Sequence, residues 1–317
     1  MRFDELLGNQ RLKQLLEASL EKGHISHFYL ISGPEGSGKH TLARLLAAAL
    51  MCERRNVPCL SCDACRKVLA GTHPDYITID DDEKRYVPVE LVRQARADIY
   101  IQPNEGARKI YLLPRAQDML PPAQNALLKV LEEPPAYGVF LLLTDNPEQL
   151  LPTIRSRCTE LKLQPLPQEL LHRQLTEEFP DASAEDIRTA ALRGGGYLGP
   201  ARQILKAEAA QSPQTAAFAA AFAARDSLGL LQVLAPMEKW KRDPLISELA
   251  AWRQLLEEAL VCRSGGIALG TAARELASQR PASELMAAIS QLQKVIEYAQ
   301  GNVSPAAICG HLEWSLR

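Results

Sequence analysis

Leu12, Leu15, Leu16 and Leu20 recur at a helical spacing that breaks at Gly23, so the pattern predicts an amphipathic helix over residues 9–22. Phe28, Tyr29, Leu30 and Ile31 form a continuous apolar run that stops at Ser32 and Gly33, as a short buried strand does. Leu42, Leu45, Leu46, Ala49 and Leu50 then resume the helical period. Further strands are predicted at Tyr76–Ile79, Ile110–Leu113 and Val139–Leu143, separated by helical stretches at 88–98 and 122–133. Apolar strands alternating with helices imply an α/β fold, a parallel sheet covered on both faces.

From about residue 164 the strand signals stop. Gln164-Pro165-Leu166-Pro167 has the composition of a linker, and residues 168–207 give short helical patterns broken by Gly194-Gly195-Gly196. The alanine-rich stretch from Ala207 to Ala224 predicts a closely packed helix, with Phe218 and Phe222 four apart on one face. Leu245, Leu249, Trp252, Leu256 and Leu260 mark a long helix, and Leu285, Ile289, Leu292 and Ile296 another. Ser304 as cap and Pro305 in the first turn open a last one. No fixed-period repeat interrupts this order. The predicted organisation is an α/β domain over 1–163, a small helical domain over 164–208 and an all-helical domain over 209–317.

Composition narrows the reading. The 317 residues carry 36 Lys and Arg against 38 Asp and Glu, with 46% hydrophobic and 23% charged positions, an ordinary globular composition. A net charge of −2 gives no overall basic field, so contact with nucleic acid has to come from a local patch or from partner subunits. No stretch of about 18 uninterrupted apolar residues is present, and the N-terminus is too acidic for a signal peptide, so a cytoplasmic protein without a membrane span is expected.

Gly33-Pro34-Glu35-Gly36-Ser37-Gly38-Lys39 follows a predicted strand and precedes a helix. In that context backbone N–H groups and a helix N-terminus hold phosphates while Lys39 reaches their outer oxygens. The motif next requires a hydroxyl to ligate Mg²⁺, yet His40 stands there and Thr41 comes one residue late, about 100° around the helix. A working P-loop ATPase also needs acids at the end of the strand Ile110–Leu113, where this chain has Pro114 and Arg115. The alternative is that the acids lie in Asp80, Asp81, Asp82 or Glu83, a run that otherwise reads as a solvated loop.

Cys52, Cys59, Cys62 and Cys65 supply four thiolates within 14 residues, enough to close a tetrahedral zinc shell. Arg54, Arg55, Ser61, Asp63, Arg66 and Lys67 make the segment too polar for thiols that merely pack. Part of the spacing also fits an iron–sulfur run, without that run's following Cys and Pro. A closed four-sulfur site leaves no open position for water, so the expected Zn²⁺ is structural. Cys262 and Cys309 read as ordinary thiols in helices.

Together these motifs resemble a family. Phe3-Asp4, Leu6, Gly8-Asn9-Gln10, His27 before the first strand, the P-loop, the cysteine insertion, the run from Asn125 through Leu131-Glu132-Glu133 to Pro134-Pro135, and Ile154-Arg155-Ser156-Arg157-Cys158 are similar to bacterial DNA polymerase III clamp-loader subunits, an AAA+ family. The resemblance covers residues 1–163 strongly and implies a helical lid and a helical collar for the rest. It implies that Arg157, with Ser156 beside it, acts in trans as an arginine finger on ATP held by a neighbouring subunit. Thr144 falls at the family's first sensor position, and the second sensor arginine would fall near Gly199, so it is missing. Gly33, Gly36, Gly38, Lys39 and Thr41 would form a nucleotide site whose ATP binding is left open and whose hydrolysis is not expected. The implied partners are the gamma/tau ATPase subunits and delta in a hetero-oligomer, with sliding clamp and primer-template DNA met through the complex. The competing readings are an active motor ATPase and a zinc-containing DNA-binding adaptor, the latter without a supporting stripe of basic and aromatic residues.

Overall fold

The computed structural model describes residues 3–316 except 55, 56, 82, 210, 211, 267–269 and 302. Its elements fall into two compact units, Met1–Leu171 with Gly195–Pro200, and His172–Gly194 with Ala201–Arg317. Helices of the 168–208 region contribute to both units. Among the described residues, no helix is long and apolar enough to cross a membrane.

In the first unit, α1 (Gln10–Glu21), α2 (Lys39–Met51), α3 (Asp63–Leu69), α4 (Val89–Asp98), α5 (Pro121–Glu132) and the single-turn α6 (Pro152–Arg155) accompany five strands. These are β1 (Phe28–Ser32), β2 (Tyr76–Thr78), β3 (Lys109–Leu113), β4 (Gly138–Thr144) and β5 (Thr159–Lys162). They form one sheet in the order β2-β3-β4-β1-β5, every neighbouring pair parallel. This is the expected α/β fold built on a parallel sheet.

β1, β3 and β4 are buried along their whole length, which is why they appear in the sequence as unbroken apolar runs. Alternate side chains serve opposite faces. Tyr29, Ile31, Ile110 and Leu112 pack with Leu42, Leu46, Cys65 and Val68, whereas Phe28, Leu30, Tyr111 and Phe140 pack with Val92, Leu127 and Val130. On the second face Phe140 stacks between Phe28 and Tyr111 at centroid separations of 4.9 and 5.0 Å.

β5 is the strand the sequence pattern did not predict. It lies at the sheet edge with only Leu161 buried, so Thr159, Glu160 and Lys162 remain polar and the apolar run that marks the inner strands is absent.

Beyond it come α7 (Gln168–Glu178), α8 (Ala184–Arg193), α9 (Leu198–Ala209), α10 (Pro213–Ala223), α11 (Ser227–Met237), α12 (Arg242–Arg263), α13 (Thr271–Gln279), α14 (Ala282–Gln300) and α15 (Pro305–Ser315). The alanine-rich stretch is not one helix. Ser212 caps a new one by accepting from the Thr215 N–H, followed by Pro213 at the first position. Phe218 then stacks on Phe222 at 5.6 Å and on Trp252 of α12 at 4.1 Å, inside the core of the second unit. Ser304 caps α15 as its sequence predicts.

Candidate functional site

In a parallel sheet the loops at the carboxyl ends of the strands converge, and here β1, β3 and β4 deliver the P-loop, Arg115 and Thr144 to one edge. Gly33 donates its N–H to the Thr144 carbonyl at 3.1 Å, tying the start of the P-loop to the end of β4. Thr144 itself is fully buried, and its hydroxyl accepts from the Asn146 N–H at 3.1 Å. Gly36 and Gly38 adopt φ of +70° and +98°, which only glycine takes without strain, and Gly38 leads directly into α2.

Lys39 is buried, and its Nζ donates to the carbonyls of Gly33 at 2.6 Å and Pro34 at 2.9 Å. Burial pushes its ammonium below the usual lysine range, opposed by Asp145 and Glu35. The loop is also covered from outside. The Gly199 N–H donates to the Gly36 carbonyl at 3.1 Å, and a Cβ at Gly199 would lie 2.4 Å from Gly36 Cα. A side chain at Gly199 would therefore need the backbone of Gly36 to move aside. His40 opens α2 beside Lys39, with Thr41 half-buried behind it; desolvation, then Lys39 and Arg44, hold the His40 ring below the ordinary histidine value.

At the end of β3, Arg115 turns onto Asp80. Its Nε donates to both Asp80 carboxylate oxygens at 3.1 and 3.0 Å, its Nη2 to Oδ1 at 2.5 Å, and the same guanidinium reaches the carbonyls of Asp81 and Lys84. Asp80, the best placed of the alternative acids, is thus held by a cation. Asp81 pairs with Lys84 at 3.1 Å and Glu83 is exposed, while Asp82 lies outside the described residues.

Arg157 stands two residues before β5, after the turn of α6. It is 42% exposed, donates from Nη1 to the Thr153 carbonyl at 3.2 Å and lies 3.5 Å from a Glu132 oxygen. Ser156 is exposed and donates to the same carbonyl, whereas Cys158 is tucked inward, its thiol pushed up to about 12 by burial. The neighbouring Arg155 pairs separately with Glu148 at 2.6 Å.

The four cysteines converge. Their sulfurs all lie within 4.8 Å of one another, with Cys52 to Cys62 and Cys59 to Cys65 each at 4.0 Å. Four sulfurs at ~2.3 Å from a tetrahedral zinc would sit about 3.8 Å apart, so the cage fits the ion with little adjustment. Cys52 closes the end of α2 and Cys62 caps α3, accepting from the Cys65 N–H at 3.4 Å; the Cys62 N–H donates in turn to Cys59 Sγ at 3.3 Å. The backbone N–H of Ser61, helped by that of Cys62, draws the Cys59 thiol down to about 5, while burial raises Cys52 and Cys65. Around the cage Lys67 pairs with Glu105 at 2.7 Å and Arg54 meets Ser61; Arg55 lies outside the described residues.

Residues 8–167 match the family described as DNA polymerase III, delta subunit, which is half of the chain. The chain belongs to that family. DNA polymerase III subunit delta' of Pseudomonas aeruginosa is 40% identical over 178 residues, 55% of this chain and 54% of that one. Subunit delta' of Bacillus subtilis is 36% identical over 170 residues, 53% and 51% of the two chains. Subunit tau of Escherichia coli is 33% identical over 274 residues, covering 81% of this chain and 42% of its own. The alignments to the two delta' relatives thus span about half of each relative's length. The family match takes in the P-loop, the cysteine cage and Arg157.

Sequence reasoning overlooked two residues at this edge. Asp145, next to Thr144, supplies the strongest opposing charge on Lys39. Gln124, at the start of α5, carries no chemistry that a motif would flag, and its role is visible only through its bonds.

Proposed function

We propose that this chain is a delta-prime-type clamp-loader subunit of DNA polymerase III that does not hydrolyse ATP itself and completes the ATP site of an adjacent subunit with Arg157. The observation that carries the reading is the Arg115–Asp80 pair: at the strand end where hydrolysis needs carboxylates to hold Mg²⁺ and orient water, a cation neutralises the nearest acid. The inward-turned Lys39 and the Gly36–Gly199 contact support it, since both groups already have partners within the chain. Arg157 is the opposite case, a guanidinium on the surface held by one carbonyl and one distant carboxylate.

In this role Arg157 leaves Glu132 on assembly and places its planar fork on the γ-phosphate bound by a gamma/tau neighbour. As the terminal phosphoryl group separates in line with the attacking water, charge spreads over its oxygens, and the guanidinium neutralises it. Ser156 orients the turn. Residues 164–208 act as the lid and 209–317 as the collar that joins gamma/tau and delta subunits into a hetero-oligomer. The sliding clamp and primer-template DNA are met through that complex, in the cytoplasm. Cys52, Cys59, Cys62 and Cys65 hold a structural Zn²⁺ that fixes the loop between α2 and α3.

Arg157→Ala should leave assembly intact and lower clamp loading by the complex, with loss of the ~10³–10⁵ rate factor at the one site it serves. Arg157→Lys should rescue poorly, because an ammonium lacks the fork. Lys39→Ala in this chain should leave the ATPase of the complex unchanged. ATP turnover by the isolated chain that disappears in Lys39→Ala would instead establish the motor reading.

A further inference from the structure

Gln124 is 3% exposed and sits in the first turn of α5. Its side chain is fully engaged with backbone. Nε2 donates to the carbonyls of Met119 at 2.9 Å and Gln149 at 3.0 Å, and Oε1 accepts from the Leu151 N–H at 2.7 Å. Those partners belong to the loop entering α5, to the turn after β4 and to the residue that caps α6. One buried amide therefore pins three segments together.

The consequence falls on Arg157. α6 is a single turn whose cap, Leu151, offers no side-chain oxygen, and whose first residue, Pro152, has no N–H. The Ile154 and Arg155 N–H groups bond the Leu151 carbonyl to close the turn, and the turn is tied to the rest of the domain by the buried Ile154 and by the bond from the Leu151 N–H to Gln124. The turn then passes this setting on: the Ser156 N–H donates to the Pro152 carbonyl, the Arg157 N–H to that of Ile154, and Arg157 Nη1 to that of Thr153. The far end of α5 carries Glu132, which faces Arg157 Nη2. The same helix thus fixes the base of the turn through Gln124 and faces its tip through Glu132.

We infer that Gln124 is a positioning residue for the arginine finger, setting the aim of Arg157 through the base of α6 without touching nucleotide. The inference rests on the finger reading of Arg157. An amide is required for its chemistry. Two carbonyls need donors and one N–H needs an acceptor, so Gln124→Glu keeps shape and acceptor but faces two carbonyls with a carboxylate. Gln124→Met keeps length and supplies neither.

The test uses the complex assembled from the full chain with its ATPase partners, comparing wild type, Gln124→Glu, Gln124→Met, Arg157→Ala and the double variant Gln124→Glu with Arg157→Ala. Gln124→Glu should lower the DNA- and clamp-stimulated rate at the served site by ~10-fold or more, within the ~10²-fold that a 1 Å misplacement costs. The KM for ATP and the assembly of the complex should stay as in wild type. In the Arg157→Ala background the same change should add nothing, because a positioning residue has no effect once the group it positions is gone. If Arg157→Ala is impaired while Gln124→Glu is at the wild-type rate, or if the two defects multiply, the inference is overturned and the finger stands. If Arg157→Ala itself loads at the wild-type rate, the finger reading falls and takes this one with it. A measurement on the unmodified chain guards against misfolded variants: amide exchange at Leu151 should be slow for a surface turn, and fast exchange would remove the bond on which the argument depends.

Discussion

The two ends of α2 make an instructive pair. At its start, glycines at positive φ and a lysine form a loop shaped for phosphate; just past its end, Cys52 begins a loop that gathers four sulfurs. Both bring polar groups to a point, and they differ in whether those groups satisfy one another. Lys39 already donates to two carbonyls of its own loop, and Gly199 closes the surface above Gly36. The cysteine sulfurs all lie within 4.8 Å of one another, a separation that suits a shared cation. Converging donors mark a ligand site only while they lack partners. The cysteine end is compatible with a shared metal ion, and nucleotide binding at the lysine end stays an open reading.

The largest effect that would sharpen this contrast is at the cysteine end. Metal analysis of anaerobically purified protein should find about one zinc per chain and no iron. Cys65→Ser should abolish it and lower the melting transition of the first unit, because metal binding free energy is folding free energy. No bound metal, or an unchanged transition, would erase the distinction between the two ends, and iron with sulfide would overturn the zinc assignment.

An intermediate effect is expected where the P-loop is closed. Gly199→Ala puts a methyl 2.4 Å from Gly36 Cα and 2.6 Å from its carbonyl oxygen, backbone atoms that cannot turn aside. A loss of ~1–3 kcal/mol in urea unfolding should follow, as for other overpacked sites. A neutral result would mean that residues 195–200 do not rest on the loop in solution, and the lysine end would then resemble the cysteine end after all.

The smallest effect concerns His40, at the position where metal chemistry needs a hydroxyl. Desolvation, Lys39 and Arg44 keep its ring neutral to lower pH than an ordinary histidine at 6.5. The unfolded chain then takes up the proton first, so this residue's contribution to stability is present above pH 6.5 and is lost as pH falls through its folded value. His40→Gln should flatten that part of the pH profile, and an NMR titration should place the ring below 6.5. A value above 6.5 would point to an uncompensated acid in the loop, the arrangement of a working site.

Legibility followed the same division between local and distant contacts. β1, β3 and β4 could be read because strands covered on both faces must be apolar throughout, and α15 could be read because Ser304 and Pro305 act within one turn. β5 could not, since an edge strand with one buried residue leaves no period to detect. The alanine run concealed a helix boundary at Ser212, where capping overrode uniform helix propensity.

By itself the sequence determined the α/β class of the first unit, the P-loop's place between β1 and α2, and the four-sulfur cage, because each depends on residues a few positions apart that a short chain can hardly keep separate. Tertiary structure alone decided that Gly199 would close over Gly36, that Arg115 would take Asp80, and that Gln124 would hold the base of the turn bearing Arg157. In those three, the partners come from chain segments far apart in sequence that meet near the carboxyl edge of the sheet. The order in which parallel strands are laid side by side decides that Asp80 meets Arg115, and the return of residues 195–200 onto the P-loop decides the Gly199 contact.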